Sequence, residues 1–222
     1  MWWVVWIACS GGDQRGTDVQ IVPADEPDLA VSEISRLLVE TSSGLIRLGG
    51  FDTEVVEVRI GGGAAGDTWE HTVSETGELT LSSLCATGER GCGTGFDVIV
   101  PDALPILASS AAGPIVVEGH DGPLSISNQQ GSVEVRQRPT SQVEVFNQSG
   151  SVQLEFIGDP VAVDVTTSSG DIAVSLPSSR FFFDVSTDSG EITYEGVQQT
   201  SGAPRIHLES DSGDISIVGV ER

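Results

Sequence analysis

The sequence contains no lysine: all ten basic residues among its 222 are arginine. Without an ε-ammonium group the chain cannot form a Schiff base, supply a phosphate-loop lysine or use a lysine as general base. Positive charge of any kind is scarce, since 33 acids face 10 bases and leave a formal net charge of −23. Nucleic acid needs basic counter-charges along its phosphates, so it is excluded as a partner. The acidic surface does serve solubility, which a sheet-rich chain needs. No apolar run approaches the ~20 residues of a membrane span.

Histidine, cysteine and aromatic residues are also sparse. His71, His120 and His207 lie far apart in the chain, and none has a partner at metal-ligand spacing. Cys85 and Cys92 lie together in "LCATGERGCG" with no histidine beside them, which is half of a zinc shell at most. Serine is abundant, yet no G-x-S-x-G elbow occurs. Gly61, Gly63 and Gly66 have the G-x-G-x-x-G spacing, but "DTWEHTV" follows and alternates as a strand does. A dinucleotide site requires a helix there, with its N-terminus at the pyrophosphate, so the glycines read as a hairpin loop.

What the chain has in quantity is glycine and short alternating runs. From about Leu29 onward, segments of three to six residues alternate apolar and polar between Gly, Ser, Asp, Asn and Pro, which is the strand signature. A template recurs seven times: apolar-x-apolar, four small or polar residues, Gly, one residue, apolar-x-apolar. It is present at Leu37/Val39 with Gly44 and Ile46/Leu48, and again around Gly113, Gly131, Gly150, Gly170, Gly190 and Gly213. From Gly113 to Gly213 the glycines are 18, 19, 20, 20 and 23 residues apart, a period typical of solenoids.

Each glycine sits where a corner needs positive φ, and the Ser, Asp or Asn before it can bond the turn backbone. One repeat buries too little apolar surface to offset the entropy of ordering its own residues, so copies must stack. The expectation is an all-β, single-domain β-solenoid, parallel β-helix-like, of about seven rungs of 18–23 residues. Val143, Val163, Phe183 and Ile206 should form one inner row, and Val152, Ile172, Ile192 and Ile215 another. A meander of antiparallel hairpins fits the same alternation, but stacking like upon like makes better use of near-identical copies. Gly49 to Pro105 departs from the template and reads as extra strands, one hairpin among them, attached to the first rung.

Stacking would align Asp171, Glu191 and Asp214, which follow equivalent glycines, with Asp188 and Asp211 two residues before their glycines. Neighbouring rungs are only ~5 Å apart, so such carboxylates either repel or share a hard cation such as Ca2+. The calcium-binding solenoid nonapeptide G-G-x-G-x-D is absent. The five acids are a candidate cation site, with solvated surface charge as the plainer reading.

The start, "MWWVVWIAC", resembles a bacterial lipoprotein signal, with Ile7 and Ala8 before a cysteine. The resemblance implies removal of residues 1–8, lipidation of Cys9 as the anchor to membrane, and, because Ser10 follows, an outer-membrane destination. Residues 9–28 then read as a tether and 29–222 as the folded domain. With Cys9 assigned to lipid, an oxidising envelope would let Cys85 and Cys92 pair as a disulfide.

The stretch "FDVIVPDALPILASSAAGPIVVEG" and the "SSGDIAV" units after it resemble the bacterial β-strand-repeat family labelled putative adhesins, over about Leu37 to Gly219. That resemblance implies a non-catalytic, lipid-anchored envelope module with an unidentified surface partner. Two other classes compete: a solenoid carbohydrate-active enzyme or hydrolase, and a cation or small-ligand sensor. A concave row joining acids with His, Arg or aromatics would favour the enzyme.

Overall fold

A computed structural model describes residues 17–19, 34–53, 56–61, 68–84, 93–138, 141–177, 180–202 and 204–220. Cys9, Cys85 and Cys92 lie outside these, so the lipidation and disulfide expectations do too. The described residues are all-β and contain no helix.

The chain begins with β1 (Thr17–Val19), β2 (Arg36–Thr41), β3 (Ile46–Phe51), β4 (Glu57–Gly61) and β5 (Thr68–Val73). Next come β6 (Glu78–Leu84), β7 (Gly95–Pro101), β8 (Ile106–Ser110), β9 (Ile115–Glu118) and β10 (Leu124–Asn128). They are followed by β11 (Val133–Gln137), β12 (Gln142–Ser149), β13 (Val152–Phe156), β14 (Ala162–Ser169) and β15 (Ile172–Pro177). The last are β16 (Arg180–Thr187), β17 (Ile192–Glu195), β18 (Gln198–Gln199), β19 (Arg205–Ser210) and β20 (Ile215–Val220).

These strands form two ten-stranded sheets. One has the order β1-β4-β7-β3-β9-β11-β13-β15-β20-β17, and the other β18-β16-β19-β14-β12-β10-β8-β2-β6-β5. Each template copy contributes one strand to each sheet, joined at the glycine corner. Like strands pair in parallel, with Val143 opposite Val163 and Val152 opposite Ile172. This is the rung-on-rung solenoid and not the antiparallel meander. Antiparallel pairing is confined to one end of the stack, where β5 joins β6 and β4 joins β7. β1, within the stretch read as a tether, pairs antiparallel with β4. A strand and not a helix follows Gly66, so the dinucleotide reading has no helix N-terminus to rest on.

The core is the space between the sheets, filled by inward-facing residues of the alternating pattern. Ile46, Ile115, Val133, Val163, Ile172, Ile206 and Ile215 are fully or almost fully buried, while their strand neighbours face water. Sequence order and spatial order differ at the C-terminal end. Ile206 pairs with Val163 on one side and with Phe183 on the other, so β19 lies between β14 and β16. Ile215 likewise lies between Ile172 and Ile192. The expected rows are present, but their order is Val143–Val163–Ile206–Phe183 and Val152–Ile172–Ile215–Ile192.

The segment read as extra strands holds one hairpin, β5–β6, and an eighth coil as well. β6 pairs in parallel with β2, putting Leu79 and Leu81 opposite Leu37 and Val39. β7 pairs with β3, putting Phe96 and Val98 opposite Ile46 and Leu48.

Candidate functional site

The glycine corners are built from two stacked columns. At Gly150, φ is 120°, and an added Cβ would overlap the carbonyl of Gly131 on the rung below. A side chain is therefore excluded twice, by backbone conformation and by rung spacing. Just inside this column runs a row of buried polar residues, among them Thr41, Ser110, Asn128, Asn147, Thr167 and Ser210. Asn128 Nδ2 donates to the Gly131 carbonyl at 3.1 Å, and Asn147 Nδ2 donates to Gly150 at 2.7 Å. Asn128, Asn147, Thr187 and Ser210 thus satisfy corner carbonyls, as their turn chemistry predicts, whereas the hydroxyls of Ser110 and Thr167 meet hydrogen-bond geometry with no partner.

The structure places Asp171, Asp214 and Glu191 on consecutive rungs, in that order. The Asp214 amide donates to Asp171 Oδ1 at 2.9 Å, and the Glu191 amide donates to Asp214 Oδ1 at 2.8 Å. The Asp171 and Asp214 carboxylates thus turn onto the next rung's backbone. Asp188 and Asp211 lie at the same corners, and their amides donate to the carbonyls of Ser210 and Thr167. All five side chains are exposed. Among the described residues, no three of His, Cys, Asp and Glu converge in an arrangement that could hold a metal ion.

The three histidines occupy three different settings. His71 stacks on Trp69 with ring centroids 5.7 Å apart, and burial lowers its pKa. His120 is fully buried, and neither ring nitrogen meets hydrogen-bond geometry with a partner. Burial pushes its pKa down to about 4, with the nearby Pro123 carbonyl and Asp102 carboxylate opposing part of that shift. The ring turns inward after Gly119, where φ is 68°, and occupies a corner that Gly50 leaves open; a Cβ on Gly50 would lie 2.6 Å from the His120 Cα.

His207 belongs to a charged cluster on the outer face of the second sheet, made where β16 pairs with β19. Asp184 Oδ2 accepts from Arg205 Nη2 at 2.6 Å and lies 3.3 Å from His207 Nδ1. His207 Nε2 is 3.7 Å from Glu209 Oε2, and Asp164 is opposite His207 on the other neighbouring strand. The Arg205 guanidinium is the main reason that the Asp184 carboxyl titrates below its ordinary range. Sequence reading missed this cluster, although stacking in chain order would also set Asp184 beside His207; what the observed order adds is Asp164 as the second neighbour of His207. Asp184 accepts a hydrogen bond from Arg205, while His207 Nδ1 meets hydrogen-bond geometry with no partner.

The first sheet's outer face carries a shallow open groove of about 210 Å³, lined by Val116, Glu118, Glu134, Arg136, Gln153 and Glu155 among others. Arg136 Nε lies 3.4 Å from Glu155 Oε1 across it. It is a polar depression in a flat sheet, not an enclosed substrate pocket.

Residues 117–218 match the family Toastrack DUF4097. In fold the chain is similar to "a putative cell adhesion protein from Clostridium sporogenes ATCC 15579", with a TM-score of 0.55 at 12% identity over 93% of this chain and 100% of that one. It is also similar to "a putative adhesin (BF0245) from Bacteroides fragilis NCTC 9343", with a TM-score of 0.39 at 11% identity over 83% and 94%. Among curated proteins none matches the chain.

Proposed function

From a chain that carries a Toastrack DUF4097 domain within a longer stack of coils, we propose a non-catalytic, adhesin-like module of the cell envelope, anchored by lipid on Cys9. The observation that carries this reading is the likeness in fold to the whole length of the "putative cell adhesion protein" of Clostridium sporogenes. Two flat outer faces support it as well. Each presents side chains on a grid set by strand spacing and the two-residue period, which suits contact over an area more than chemistry at a point. The acid–imidazole pair at Asp184 and His207 lies open on such a face, with Arg205 engaging the carboxylate that would have to orient the ring.

The anchor is read from Ile7-Ala8-Cys9, and Ser10 directs the lipidated chain to the outer membrane. Mass spectrometry of the protein from its native host should find an acylated N-terminal Cys9; an unprocessed Met1 rejects the anchor. The partner is tested by crosslinking on intact envelopes. Amine-reactive reagents will not serve on a lysine-free chain, so carboxyl-directed or photoreactive crosslinkers are required. Recovery of a specific envelope or surface protein supports the module. Turnover of a polysaccharide by the purified protein, lost in Asp184→Asn, would establish the enzyme instead.

A further inference from the structure

The first and last coils in the sequence are each second from an end in space. At one end, β2 lies between β6 and β8, and β3 lies between β7 and β9. At the other, β19 lies between β14 and β16, and β20 lies between β15 and β17. The outermost coils, β6/β7 and β16/β17, come from inside the sequence and are tied by chain at both of their ends. β18 pairs with the outer edge of β16.

Composition selects this order. Ile206, Leu208, Ile215 and Ile217 in the inserted coil are fully buried, whereas Tyr194 in the end coil is 51% exposed. Tyr194 is opposite Ile217 on β20, and its ring meets Phe183 edge-on at 5.8 Å. Stacking in chain order would set Tyr194 between Val174 and Ile217 and bury its phenol, while Ile215 and Ile217 would face the open end. An aromatic ring with a hydroxyl tolerates a half-wet position better than two isoleucines do.

We propose that this exchange of coils is a lock. Solenoids ordinarily fray from terminal repeats, because an end coil has one neighbour and a free chain end. Here the last coil of the sequence, β19/β20, is held on both faces, and the outermost coil, β16/β17, is tied by chain at both of its ends. The C-terminal coil is inserted last, and the stack opens as one unit.

Hydrogen exchange on the full chain under native conditions tests the lock. Amides of β19 and β20 should have protection within about tenfold of those in β12 and β13; exchange faster than that, rising toward the C-terminus, overturns the proposal. The order itself is tested in a chain with Cys9, Cys85 and Cys92 replaced by serine and folding checked by circular dichroism. Asp164→Cys with His207→Cys should oxidise to a disulfide, because parallel neighbours are ~5 Å apart. Asp164→Cys with Asp184→Cys should not, because those strands are two spacings apart. Oxidation of the second pair and not the first would establish chain-order stacking and remove the lock.

Discussion

Asp214 and Glu191 are 23 residues apart in sequence and adjacent in space, joined by a hydrogen bond from the Glu191 amide to Asp214 Oδ1 at 2.8 Å. Stacking in chain order would also make these two neighbours; the exchange of coils decides that Asp214, and not Glu191, lies next to Asp171. Two carboxylates of the acidic column, those of Asp171 and Asp214, each accept from the backbone amide of the next rung. Replacing Asp214 by Ala should cost on the order of 1 kcal/mol, with Asp214→Asn recovering much of it through its amide oxygen. Urea unfolding of the three proteins measures this.

Calcium provides the companion test of the same corner. With Asp171 and Asp214 turned onto amides, equal ionic strengths of calcium and sodium should raise Tm equally. A calcium-specific increment that disappears in Glu191→Gln would establish the cation site at Asp171, Asp188, Glu191, Asp211 and Asp214.

Two glycines separate backbone strain from rung clash. Gly202 has φ of 79° and nothing within 4 Å of an added Cβ, whereas Gly213 has φ of 150° and an added Cβ would overlap the Gly170 carbonyl. Gly202→Ala should cost roughly 1–2 kcal/mol for φ alone. Gly213→Ala should add a further ~1–3 kcal/mol, because two rungs are forced apart. Equal losses in thermal melts would mean that the rungs tolerate the methyl group.

Burial of His120 makes stability depend on pH. Its folded pKa is about 4, below the 6.5 of an ordinary histidine, so the unfolded chain binds the proton more readily. Stability from this residue is intact above pH 6.5 and falls by up to roughly 3 kcal/mol as pH drops toward 4. His120→Phe removes that slope and leaves the carboxylate contributions in place. The difference between the two stability–pH curves isolates it, and parallel curves would place His120 in contact with water.

Ile172 is fully buried between Val152 and Ile215, while Ala173 beside it faces solvent. Ile172→Asp should abolish the cooperative unfolding transition, because an unpaired carboxylate enters the core. Ala173→Asp should shift it little. Circular dichroism and melting of both variants check the alternation directly.

Cys85 and Cys92 should form a disulfide in exported protein, closing a short loop for roughly 2–3 kcal/mol. Alkylation without reduction followed by intact-mass measurement decides it, and two labelled thiols would reject the pairing.

Much of the fold was legible in the residues. Alternation of period two sorts each strand into a core side and a water side, and a glycine seven times at one place in a template marks the corner. Both are local properties: Cβ direction along a strand and the cost of positive φ depend on the residue itself. The eighth coil escaped notice because the segment between Leu84 and Gly95 is longer than the template's corner, although Leu79/Leu81 and Phe96/Val98 fit its strands. His120 was unreadable as a core residue because one positive φ at Gly119 reverses which side the next residue faces.

By itself, the sequence determined that this chain would be coils, where seven of them bend and which side chains of their alternating strands they bury. Only the tertiary structure decided the order in which the coils stack, and with it the placing of Asp164 opposite His207 and the hydrogen bond from the Asp214 amide to Asp171. The reason is physical. Near-identical coils offer one another nearly equal ladders of backbone bonds and apolar contacts, so any order satisfies the local rules. The choice falls to the ends, where Tyr194 can face water and Ile215 and Ile217 cannot do so without loss.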